Sequence, residues 1–157
     1  MTMSAVKSRR KSSVQEGDEL DATISLCGEL LGWPIAVNTE GVFLPVSKEI
    51  GGLTVPAGLA GEVNTEIIRR EIRVPIIAAP GVGGRWVFLV QMPPSLPGLP
   101  VGVGLISGTT RIPLPPTKVG DEPSRWISRP SDMYRVVVPP ASQVLQAIRY
   151  TLNPKPI

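Results

Sequence analysis

Apolar residues Leu20, Ile24, Cys27 and Leu31 recur at steps of three and four, which predicts a helix of about three turns opening near Asp18, an N-cap type, and closing at Gly32, a C-cap type. Trp33 to Val37 is β-leaning, and Asn38 to Gly41 reads as a turn into Val42 to Val46, so a strand pair is expected there. Leu53 to Val55 predicts a short strand. In Ala57 to Arg70, Leu59, Val63, Ile67 and Arg70 share one face of a second helix, weakened by Gly58 and Gly61. From Ile72 the pattern changes to short β-rich runs, Val74 to Ala79, Arg85 to Gln91, Val101 to Ile106 and Arg111 to Leu114, which suggest a sheet with consecutive hairpin-like connections. Pro93, Pro94, Pro97 and Pro100 make Met92 to Pro100 a loop or an edge, because proline cannot donate to a ladder. Pro139 and Pro140 open a last helix with Val144, Leu145 and Ile148 on its apolar side. The expected fold is α/β of the α+β kind: one domain, a mixed, largely antiparallel sheet flanked by two or three helices, and Pro/Gly-rich loops.

Composition sharpens this outline. The chain has 157 residues, room for one ordinary domain, and its 42% hydrophobic content is that of a folded protein. The 18 prolines and 16 glycines exclude long helices as the main architecture. Residues 1–17 carry Lys7, Arg9, Arg10 and Lys11 with little apolar surface to bury, so a disordered basic and polar arm is expected before a domain over 18–151 and a short tail over 152–157. The arm reads either as a solubilising start or as a basic segment for nucleic acid. A single cysteine, the absence of a charged start followed by an apolar segment, and the absence of any run near the ~20 apolar residues of a membrane span predict a cytoplasmic protein with no membrane partner.

There is no histidine. Imidazole is therefore unavailable as a general base, as a metal ligand or as the middle of a nucleophilic triad, and one cysteine cannot build a structural zinc site. Carboxylate pairs fare little better as metal ligands. Asp18 and Asp21 stand at a helix start, Glu62 and Glu66 on an exposed helix face, and Asp121-Glu122 in a loop, while no strand carries an Asp-x-Asp or Asp-x-Glu pair. No metal, no cofactor and no catalytic residue is expected. The glycine run Gly81-Val82-Gly83-Gly84 could cradle a phosphate, but it feeds a β-leaning segment and not a helix, so a hairpin turn is the simpler reading.

Charge is unevenly distributed around the net +3. Residues 22–71 hold three cations against six glutamates, whereas residues 72–157 hold nine cations against three acids, and seven of those nine are arginines. Arginine suits bidentate phosphate contact and stacking. Arg85, Arg111, Arg125, Trp126 and Arg129 are the candidate nucleic-acid-binding residues, with Trp86 a second platform unless its alternation with Phe88 and Val90 puts it in the core. Trp33 and Cys27 read as core, the latter inert.

Gly32-Trp33-Pro34, Gly84-Arg-Trp-Val-Phe-Leu, Gly102-Val-Gly-Leu-Ile-Ser-Gly, Arg111-Ile-Pro-Leu-Pro-Pro-Thr, Arg125-Trp126 and Pro139-Pro140 together resemble the N-terminal domain of bifunctional DNA primase/polymerases, in particular its small stand-alone actinobacterial relatives. The likeness touches most of residues 18–150. It implies an α/β fold around a mixed sheet, with strand aspartates that bind metal, a histidine on the strand after a Gly-rich turn, and a Pro-Pro-Ser segment. Here Trp86 stands where the histidine would be, Gly104 where a strand aspartate would be, and Thr117 in place of the serine. The expectation is a catalytically inactive primase/polymerase-like domain that binds DNA or RNA through an Arg/Trp surface. The alternative is a protein-interaction or regulatory module using the proline-rich loops at Met92 to Pro100 and Pro113 to Pro123. If the chain were active after all, metal-dependent nucleotidyl transfer would be the chemistry.

Overall fold

Trp86-Val87-Phe88-Leu89-Val90 is apolar at every position, the signature of a strand covered on both faces. In the computed structural model, which describes residues 17–79, 84–95, 98–106, 110–130 and 138–154, this run is the middle of the fold. The elements in chain order are α1 (α-helical over 17–23, continuing as a π-helix over Ile24–Leu30), β1 (Ala36–Asn38), β2 (Gly41–Pro45), β3 (Gly51–Pro56), α2 (Ala57–Arg69), β4 (Ile76–Ala79), β5 (Arg85–Val90), β6 (Gly104–Ile106), β7 (Arg111–Leu114), β8 (Lys118–Val119), β9 (Glu122–Pro123), β10 (Arg125–Ser128) and α3 (Ala141–Leu152). Residues 1–16 of the expected arm and residues 155–157 of the tail lie outside the described residues; Gly17 already belongs to α1, and Asp18 lies within its first turn, not at a cap.

Five strands form one antiparallel sheet in the order β10-β4-β5-β3-β6, three form a second in the order β1-β2-β7, and β8-β9 is a small ribbon. Side chains alternate across β5, and each face has its own core. Phe88 and Val90 join Leu53, Ile76, Val63, Ile67, Val144 and Ile148 under α2 and α3. Val87 and Leu89 join Ile77, Val42, Leu44, Ile112, Leu114, Cys27 and Trp33 beneath the small sheet and α1. The protein is thus a mixed α+β single domain, as the periodicities predict.

The expected run of consecutive hairpins is corrected by the pairing. It holds for β1-β2, β4-β5 and β8-β9, but β6 returns to β3, β7 to β2 and β10 to β4. The reason is occupancy: β5 already has β3 and β4 on its two edges, so the chain leaving it through the proline-rich loop must seek another edge. The glycine run joins β4 to β5, in register Ala79↔Arg85, so a hairpin and not a helix follows it; Gly81, Val82 and Gly83 themselves lie outside the described residues.

Helix ends follow local chemistry. Gly32 takes φ 69°, the left-handed geometry glycine tolerates, and the Trp33 N–H donates to Cys27 O at 2.8 Å to close α1. Pro140 leads α3, whose Ala141 N–H donates to Gln91 O at 3.0 Å, while the Gln91 N–H donates to Pro139 O at 2.8 Å, tying the helix to the end of β5. Glu66, expected on an exposed face, is buried instead, because Arg70 Nε donates to it at 2.8 Å and covers it. Among the described residues no helix is long and apolar enough to cross a membrane.

Candidate ligand-binding surfaces

Three of the five sequence-predicted residues meet. Arg125 and Trp126 on β10 and Arg129 just beyond it line a groove of about 220 Å³ whose other wall is Glu19, Ala22, Thr23 and Leu26 of α1, with Pro115 at its base. β10 is an edge strand, and a register irregularity between Trp126 and Ser128 re-aims the residues that follow. Trp126 is half-buried against the small-sheet core, and its indole Nε1 donates to Thr23 Oγ1 at 3.4 Å. Thr23 Oγ1 in turn donates to Pro115 O at 2.6 Å. The aromatic wall is therefore fixed in place, while Arg125 and Arg129 are exposed and Glu19 is the one acid in the lining.

The other two predicted residues stand apart from this groove, Arg85 half-buried and Arg111 exposed. Arg85 Nη2 donates to Thr54 O at 3.2 Å, to Thr54 Oγ1 at 3.1 Å and to Gly102 O, so it binds β5 to β3 and to the turn before β6. Arg111 lies on the small sheet, its Nη2 3.2 Å from Glu40 Oε2 and its guanidinium 3.9 Å from the centre of the Phe43 ring. Neither reaches the groove.

The positions that carry the family likeness also have packing duties. Trp86 packs against the α2/α3 core. Gly104 faces Thr54 so closely that a Cβ there would stand 2.5 Å from Thr54 Oγ1. The Thr117 hydroxyl accepts from the Val42 N–H at 2.9 Å and donates to Val42 O at 3.0 Å. Among the described residues no three His, Cys, Asp or Glu side chains gather where they could hold a metal ion.

Cys27 is buried in α1, and desolvation pushes its thiol up to about 12. The thiolate is the reactive form, so native protein at pH 8 is expected to resist a disulfide-exchange chromophore and to release one equivalent of it only when urea unfolds the chain. Rapid release without urea would contradict the burial.

A second surface carried no motif to announce it. Three hollows of about 360, 670 and 600 Å³ adjoin on α3 and share Gln146. The first runs under Met92, Pro93 and Pro94. The third is lined by Pro100, Tyr150 and Leu152, with Arg70 and Arg149 at its rim. The only hint in the sequence is that Arg69-Arg70 and Arg149-Tyr150 each end an apolar-faced helix; nothing in it says that α2 and α3 pack side by side and bring those ends together.

Fold and grooves define a mixed α+β protein with arginine-rimmed hollows lined by aromatic and proline side chains. No protein-family model, no curated protein and no solved structure matches the chain.

Proposed function

We propose that this protein acts by binding and not by catalysis, gripping a nucleic-acid strand in the groove between α1 and β10, and that its domain is of the primase/polymerase-like kind without the catalytic set. The observation that carries this reading is the convergence of Arg125, Trp126 and Arg129 on one groove whose aromatic wall is immobilised. Arginines neutralise phosphates, and an indole offers its π-face to any base, so the combination favours a flexible single strand over a duplex. A chain without histidine, with Trp86 and Gly104 at the positions where the likeness would put a histidine and a metal-binding aspartate, has little with which to run phosphoryl transfer. The reading takes the protein to work in the cytoplasm.

Titration of a labelled single-stranded oligonucleotide by fluorescence anisotropy tests it. With two phosphates neutralised, raising salt from about 50 to about 200 mM weakens binding about sevenfold. The double variant Arg125→Glu/Arg129→Glu is expected to lose binding, with the melting temperature little changed because both side chains are exposed. No affinity at about 50 mM salt, where such contacts are strong, would remove this reading.

A protein-interaction role is favoured by one specific observation: Pro93, Pro94 and Pro100 of the first proline-rich loop line the hollows against α3. The second loop contributes less, since Pro115 and Pro116 are buried. Recovery of one stoichiometric partner that survives nuclease treatment would favour it.

A further inference from the structure

The end of α2, the end of α3 and Pro100 enclose a mostly apolar hollow of about 600 Å³, floored by Tyr150 and Leu152. Leu152 is 47% exposed, so a large apolar side chain is left uncovered at this corner. The rim is cationic. Arg69 and Arg70 share a single carboxylate, that of Glu66, at 3.8 and 2.8 Å, and Glu66 is buried beneath them. Arg149 donates at 3.3 Å to the carbonyl of Gly98, a neutral acceptor, and among the described residues no carboxylate pairs with it. In the adjoining hollow Glu71 and Arg73 are of opposite sign and leave that balance unchanged.

We propose that this corner docks an acidic segment of a partner protein, seating one large apolar side chain in the hollow while its carboxylates meet Arg69, Arg70 and Arg149. Two rival occupants fit less well. A nucleic-acid strand would need a free aromatic face, but the guanidiniums of Arg69 and Arg70 already lie 5.9 and 5.4 Å from the Tyr150 ring centre. A second copy of the chain paired through this corner would set arginine against arginine. An apolar anchor ringed by opposite charge is the arrangement in which buried contact supplies affinity and the rim supplies orientation and selectivity. This surface shares no lining residue with the α1/β10 groove, so the two proposals stand or fall separately.

The test is selection of a displayed random dodecapeptide library on the full chain, followed by titration of the recovered peptides. The expected consensus combines Asp or Glu with one Leu, Phe or Trp. Arg149→Glu and Leu152→Ser are each expected to weaken a recovered peptide about tenfold, an ordinary loss for an interface anchor, at unchanged circular dichroism and melting temperature. Arg125→Glu/Arg129→Glu should leave it unaffected. The proposal is overturned if no acidic and apolar consensus emerges, if neither variant lowers affinity, if single-stranded DNA displaces the peptide, or if the wild-type chain sediments as a dimer that Leu152→Ser converts to monomer.

Discussion

Phe88→Ala is expected to lower the stability of the fold by about 3–5 kcal/mol, read as a large fall in the urea midpoint followed by tryptophan fluorescence. Phe88 is fully buried on β5, and its direct neighbours across the ladder are Leu53 of β3 and Ile76 of β4, both also fully buried. Truncation removes the transfer energy of the ring and leaves a cavity. The neighbours are strand residues held by hydrogen bonds on both sides, so they have little freedom to close it. A typical domain has only ~5–15 kcal/mol in hand, so the variant stands near the limit of folding. Leu30→Ala is the control: at 67% exposure it should change stability by about 0.5 kcal/mol or less. Equal losses from the two would mean that β5 is not the centre of the core.

That centrality was legible in the sequence, whereas its neighbours were not. A run of five apolar residues from Trp86 to Val90 announces a strand covered on both sides, and the helical spacings of Leu59, Val63 and Ile67 or Val144, Leu145 and Ile148 announce what covers one of them. Pairing is another matter. Nothing local to Gly104–Ile106 says that it will lie beside β3, because register across a long loop is fixed by which edges remain open once the earlier strands have paired. The candidate site divides the same way. Arg125, Trp126 and Arg129 are adjacent in the chain, and their clustering could be read directly. Arg85 and Arg111 look the same in sequence, yet Arg85 is held by two carbonyls and a hydroxyl, and Arg111 meets a carboxylate and an aromatic ring at the surface of the small sheet, all from elements distant in the chain. The corner at Tyr150 depends wholly on α2 and α3 packing side by side, a long-range contact without a local signal.

Thr117→Val is the second large effect, at about 2–4 kcal/mol, and it links the core to the groove. Valine keeps the shape of threonine but cannot bond, so the Val42 N–H and C=O, both within a fully buried residue, lose their partner together. Each buried group left unmet costs about 1–3 kcal/mol. Thr117→Ser keeps the hydroxyl and should cost about 1 kcal/mol for the lost methyl. Gly41→Ala approaches the same contact from the other side: a Cβ would stand 2.5 Å from Thr117 Oγ1, on a backbone at φ 145° that side chains rarely adopt. Because both changes break one contact, the double variant should be less destabilised than the sum of the singles, and strict additivity would show that they act independently. The consequence extends to binding. Thr117 O accepts from the Ser124 N–H at 3.0 Å and from Ser124 Oγ at 2.8 Å, and Ser124 delivers Arg125 and Trp126 to the groove. Thr23, which holds the Trp126 indole, donates in turn to Pro115 O, two residues before Thr117. Three buried hydroxyls, on Thr23, Thr117 and Ser124, thus hold the aromatic wall in position. On the proposed strand-binding role, Thr117→Val should therefore weaken oligonucleotide binding under native conditions while leaving its salt dependence unchanged, since Arg125 and Arg129 still carry the charge.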